Sequence, residues 1–102
     1  MKLKNKYVLH VPLCKFADGK LISVEIDEVL PELTGQLENF YITKAQSHYK
    51  SRSFEEILIT VFACDDKIEE IFKKWFIKNN NILGQEAFAY ERGNELIIEE
   101  VK

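Results

Sequence analysis

Apolar and polar positions alternate with a period of two along residues 6–13, KYVLHVPL. Tyr7, Leu9, Val11 and Leu13 fall on one side and Val8, His10 and Pro12 on the other, the pattern of a strand with one strongly apolar face. Pro12 has no N–H to give to a ladder and belongs near the strand's end. Asp18-Gly19 follows as a turn. Two periods then compete. Ile22, Ile26, Val29, Leu30, Leu33 and Leu37 keep helical spacing, with Ser23 placed to cap. Residues 21–26 also alternate, and Asp-Gly is a hairpin signal. Pro31 would cost about 3 kcal/mol inside a helix beginning near Ser23. In a helix beginning near Leu30 it would sit in a favoured first-turn position. Because the apolar stripe persists on both sides of the proline, the expectation is the longer helix, kinked at Pro31, with the hairpin as its competitor.

Residues 40–47 (FYITKAQS) are rich in strand formers, and 53–64 (SFEEILITVFAC) form the strongest strand pattern in the chain. The core of that run is apolar on both faces, which places it in the sheet centre with each side covered. The polar HYKSRS between the two is expected to protrude. Ile68, Ile71, Phe72, Trp75 and Phe76 complete a helical stripe. Asp66 with Glu69 suggests a capping box, Glu69–Lys73 and Glu70–Lys74 are i, i+4 pairs, and Lys73, Lys74 and Lys78 suit the helix C-terminus. Asn79-Asn80-Asn81 and Gly84 are expected to end it in a loop. Residues 85–91 and 95–101 read as strands joined by Arg92-Gly93-Asn94. The order predicts an α+β fold: one ferredoxin-like βαββαβ domain over residues 1–102, with an antiparallel sheet, two helices on one face and an extra C-terminal strand.

Composition narrows the function classes. The 102 residues carry 14 basic and 17 acidic side chains, a formal net charge of −3, which discourages broad binding to nucleic acid or anionic membranes. Cys14 and Cys64 lack C-x-x-C spacing and read as reduced, packed thiols. The basic start, MKLKNK, leads into too short an apolar run for a signal peptide, so a cytoplasmic location is expected.

The segments VPL and DGK (11–13, 18–20), NFYIT (39–43), HYKSRSFEE (48–56) and LGQEAFAYE (83–91) together give the chain a rhythm that resembles small uncharacterised bacterial proteins of ferredoxin-like fold. Where those proteins often carry paired glycines before the second strand, this chain has Glu38-Asn39-Phe40. The resemblance implies the fold and brings no activity with it.

No motif fixes a chemistry. His10, Cys14, His48 and Cys64 lack zinc-ligand spacing, so no metal or other cofactor is expected. Ser47, Ser51 and Ser53 lack a nucleophile elbow, and the isolated glycines form no phosphate loop. RNA recognition would need a basic-aromatic third strand that is missing. If Leu9 and Val11 face the helices, His10 faces the open side of the sheet. One alternation of the 53–64 strand carries Leu58, Thr60 and Phe62, and the expected floor is His10, Thr60, Phe88, Tyr90 and Glu86. An apolar open face calls for a cover, and a second copy is the expected one. The segment around His48, Tyr49, Lys50 and Arg52 is the densest polar cluster, able to bind an anion through Lys50 and Arg52. The leading expectation is a non-enzymatic, homodimeric interaction domain using the sheet face and residues 47–52. The second is a small cofactor-free enzyme of the dimeric α+β-barrel kind, with His10 or His48 as acid/base. The third is a phage- or host-encoded module sequestering an anionic ligand through Lys50 and Arg52.

Overall fold

A computed structural model describes residues 2–49 and 51–101. Among them seven strands form: β1 (Asn5–Pro12), β2 (Cys14–Ala17), β3 (Lys20–Ser23), β4 (Tyr41–Tyr49), β5 (Arg52–Ala63), β6 (Ala87–Arg92) and β7 (Glu95–Glu100). Three short or medium α-helices accompany them: α1 (Leu30–Thr34), α2 (Lys67–Lys78) and α3 (Asn80–Leu83). The main sheet is antiparallel in the order β4-β5-β1-β6-β7, while β2 and β3 make a separate hairpin. The chain is therefore α+β, with a five-stranded sheet carrying helices on one face.

Alternation in β1 works as its sequence pattern requires. Leu9 and Val11 are fully buried toward the helices, and Pro12 closes the strand. Ile57, Ile59 and Val61 of β5 join them, packed under Ile68, Phe72, Trp75 and Phe76 of α2. Phe72 is the hub of the layer, meeting Phe76, Phe88 and Tyr90 edge-on at centroid distances of 5.7, 5.8 and 6.0 Å. β5 lies beside the central strand, and β1 itself occupies the middle. The open side of β5 is not sealed, since Phe62 remains 36% exposed.

The long first helix is not formed. Residues 20–30 hold the competing hairpin strand and a single 3-10 turn (Ile26–Glu28), and helix begins only at Leu30, so Pro31 takes its favoured first-turn place. Asp18 and Gly19 both take positive φ at the β2–β3 turn, which a helical continuation would forbid. Trp75 anchors this irregular segment: its indole N–H donates to the Val29 carbonyl at 2.9 Å, a buried bond across 46 residues. The expected polar protrusion is instead ladder, for β4 and β5 pair out to Tyr49 and Arg52, with Ser51 at positive φ in the tight turn.

Around α2 the capping box is not made. The Lys67 N–H is accepted by Asp65 Oδ1, and Glu69 turns to Tyr90 and Arg92. Glu70–Lys74 forms as expected at 2.8 Å, but Lys73 pairs with Glu99 at 2.9 Å. The asparagine run is not a loop: Asn79 is buried with its amide on the Trp75 carbonyl, and Asn80 opens α3, which Gly84 ends in a left-handed conformation. No helix among the described residues is long and apolar enough to cross a membrane.

Trp75→Phe should cost about 2–4 kcal/mol, through the orphaned Val29 carbonyl and the smaller ring. Urea unfolding monitored by circular dichroism checks this, and a loss below about 0.5 kcal/mol would show that the anchor contributes nothing.

Candidate functional site

A side chain on the open face of β1 has a neighbouring strand on each flank. The registers set out rows across that face: Thr43, Leu58, His10, Ala89, Ile98, and next to it Tyr41, Thr60, Val8, Glu91, Leu96. On the other side of His10, Pro12 lies opposite Glu56, which lies opposite Ala45. Carboxylates thus stand diagonally to either side of His10, a spacing that long side chains bridge.

They do bridge it. His10 Nδ1 is 3.3 Å from Glu56 Oε1, and Nε2 is 2.6 Å from Glu91 Oε2. An ionised carboxylate has only lone pairs to offer, so a carboxylate at each ring nitrogen favours the imidazolium form of His10. The hydrogen bond to Glu56 is the main cause that lifts the His10 pKa above its ordinary value; partial burial opposes it and the bond to Glu91 adds to it. In return the bond from His10 is the main cause holding the Glu56 carboxyl low, against its own burial and with help from Ser47. Ser47 Oγ donates to Glu56 Oε1 at 2.5 Å.

The array runs through four adjacent strands: Ser47 on β4, Glu56 on β5, His10 on β1 and Glu91 on β6. Two carboxylates against one imidazolium leave one net negative charge. The inner carboxylate, Glu56, is 15% exposed and the outer, Glu91, is 38% exposed. Val8 and Thr60 are buried beside them, while Tyr41, Phe62, Leu96 and Ile98 form an exposed apolar rim. Such a face can hold a cation against Glu91 and an aromatic or apolar group against the rim. The three titratable groups bond to one another, and among the described residues no cluster is arranged to hold a metal ion.

The expected site residues are only partly brought together. His10 and Thr60 lie on the open face as anticipated. Tyr90 does not: with Phe88 it points into the helix-side core, where its hydroxyl donates to Glu69 Oε1 at 2.7 Å. Burial chiefly, then the neighbouring Glu69 carboxylate, raises the Tyr90 pKa. Glu86 is exposed and precedes β6, so it is not part of the floor. His48 is in β4 at the far end of the hairpin, bonded to Ser53 at 2.8 Å, and is apart from His10. The Arg52 guanidinium lies over the Phe16 ring at 5.0 Å rather than in an anion pocket. Lys50 and the side chain of Tyr49 fall outside the described residues. Glu56 and Glu91 are the residues that sequence reasoning missed, and Ser47 was noticed only as the first residue of the polar 47–52 segment.

No family model matches the chain, and no curated protein matches it. Among solved structures it is similar to a phage SAM lyase in complex with S-methyl-5'-thioadenosine. The two superpose with a TM-score of 0.62 at 10% identity, over 94% of this chain and 88% of that one. At such identity the likeness is one of fold. It nevertheless overturns the leading functional expectation, a non-enzymatic interaction domain, because the architecture found is that of a protein named as an enzyme.

The array makes stability depend on pH with a defined sign. The folded pKa of His10 is raised above 6.5, so its contribution is complete below that value and is lost as pH climbs through the raised one. The folded pKa of Glu56 is lowered from 4.5, so its contribution is present above that value and is lost as pH falls through the lowered one. Thermal midpoints should therefore plateau between the two and decline as pH climbs from about 6.5 through the raised His10 value. His10→Asn should lower the plateau by about 1–2 kcal/mol and flatten the alkaline decline; an unchanged decline in that variant would refute the assignment.

Proposed function

We propose that this chain is an enzyme that cleaves a sulfonium nucleoside of the S-adenosylmethionine kind at the Ser47–Glu56–His10–Glu91 array. The observation that carries this reading is the fold likeness to a SAM lyase over 94% of the chain. A fold by itself hosts many chemistries, so the site has to suit such a substrate on its own terms.

Two features of the face support that suitability. The array has one carboxylate in excess, and the better exposed of the two, Glu91, is free to face a cation. The substrate class carries positive charge on both its sulfonium and its α-ammonium. Tyr41 and Phe62 offer aromatic faces on the rim, the kind of surface that receives a purine ring. In this reading a second copy of the chain covers the apolar rim and excludes water from the site. In this reading the fold is a ferredoxin-like plan whose first helix is replaced by the β2–β3 hairpin, a 3-10 turn and α1, which the sheet order β4-β5-β1-β6-β7 supports.

The same groups bear on the reaction route. In this reading His10 donates from both ring nitrogens and Glu56 Oε1 already faces two donors, so the route asks neither for a base. Displacement by the substrate's own carboxylate needs no base. A C–O bond forms at the γ carbon while the C–S bond breaks, its electron pair passing to sulfur. The products are the neutral thioether S-methyl-5'-thioadenosine and an α-amino lactone, with no proton transferred. Glu91 holds the ammonium so that the chain folds back toward its own γ carbon, an orienting role.

Incubation of the unaltered protein with S-adenosylmethionine, followed by liquid chromatography and mass spectrometry, should show S-methyl-5'-thioadenosine accumulating. Glu91→Gln should reduce kcat/KM by about 100-fold with the circular dichroism spectrum unchanged, while His48→Ala keeps full activity. If no thioadenosine forms, and calorimetry finds no binding of S-adenosylmethionine to the unaltered protein, the reading fails.

A further inference from the structure

The two carboxylates flanking His10 are held differently. Glu91 meets His10 through one oxygen and is 38% exposed; Glu56 is 15% exposed and its Oε1 is approached by both His10 Nδ1 and the Ser47 hydroxyl. Ser47 lies on β4, two strands away from β1, directly opposite Phe54 and diagonal to Glu56. A serine at this place has no ladder duty for its side chain. Its one described side-chain bond goes to the oxygen on which the array turns.

The orientation of the whole array depends on that oxygen. A glutamate side chain on a sheet has three free torsions and loses about 1–2 kcal/mol of rotamer entropy when it is fixed. The contact from His10 to Glu56 is the longer of the imidazole's two, 3.3 Å against 2.6 Å, so by itself it constrains Glu56 weakly. The hydroxyl of Ser47 supplies the second point. With Glu56 fixed at two points the imidazole plane is fixed, and Nε2 then presents Glu91 at one angle.

We propose that Ser47 is a positioning residue, acting through Glu56 and His10 to set the outer carboxylate Glu91 that receives the substrate's cation. The catalytic part of this statement rests on the sulfonium-cleaving reading above; the positioning part concerns the array alone. Ser47 touches no reacting atom. Its loss should lower kcat more than it changes KM, because misaimed Glu91 still attracts a cation but no longer holds it in the reactive geometry.

The experiment compares the unaltered protein with Ser47→Ala, Ser47→Thr and Glu56→Gln. The His10 ring protons are titrated by NMR, and S-adenosylmethionine cleavage is followed in parallel. In Ser47→Ala the His10 midpoint should move down toward its ordinary value and kcat should fall roughly tenfold. Ser47→Thr, which restores a hydroxyl, should recover both, and Glu56→Gln should move the His10 midpoint in the same direction and further. If Ser47→Ala folds, titrates and turns over as the unaltered protein does, the positioning role is wrong while the cleavage reading stands. If the unaltered protein shows no cleavage but Ser47→Ala still shifts His10, the positioning of the array stands and the cleavage reading falls.

Discussion

Because β1 is the middle strand, antiparallel to a neighbour on each side, the parity of its residues decides both what is buried and what can act. Leu9 and Val11 go fully into the core. His10 between them therefore has no choice of face, and a one-residue slip would exchange a buried leucine for a charged imidazolium. Every other feature of the site follows from that register. Glu56 reaches His10 because it lies two pairs beyond on β5, opposite Pro12, and Glu91 because it lies two pairs back on β6, opposite Val8. The site is built by pairing rather than by loops, so its precision is that of the sheet.

The alternation of β1, the strands on either side of Arg92-Gly93-Asn94 and the stripe of α2 were legible in the chain because each has a clean period. The face occupied by β6 was misread, although the signal was there. Ala87, Ala89 and Glu91 alternate with Phe88 and Tyr90, and the aromatic stripe of α2 needs large partners beneath it. Placing Phe88 and Tyr90 under Phe72 would have left the small residues and Glu91 on the open side. Glu56 was harder to find, since Glu55-Glu56 at the start of a strand reads as solvation until its register with Pro12 is known. Ser47 was legible only as the edge of the polar 47–52 segment, because its bond to Glu56 is a diagonal contact between adjacent strands.

The stretch from Leu13 to Leu37 shows a different limit. From Ile22 on its apolar residues satisfy helical spacing, yet Ile22 stays exposed on the hairpin, and Val24, Val29, Leu33 and Leu37 are buried from irregular backbone, a 3-10 turn and a short helix. Periodicity records which residues need burial and is silent on which backbone delivers them. Here long-range partners decide. Val29 is held by Trp75, the β2 backbone by the Gln85 amide on Cys14, and the Lys15 ammonium by the Ile82 carbonyl. Those partners lie 46 to 71 residues away, beyond the reach of any local pattern.

Stability alone does not account for the array. Replacing a partly buried charged cluster by packed aliphatic side chains is commonly neutral or stabilising, and this face already offers Val8, Leu58 and Ile98 as apolar neighbours. An imidazolium between two carboxylates also leaves one negative charge unanswered within the fold. That charge is least costly where water can reach it, and Glu91 is the carboxylate that water reaches. A cationic ligand arriving there would displace that water and meet the full field of a carboxylate whose geometry is already set, so the ordering cost has been met in the folded state rather than at the moment of binding. The asymmetry between a pinned inner glutamate and an accessible outer one is what a preorganised cation site requires, and an ion pair formed only to hold strands together has no need of it.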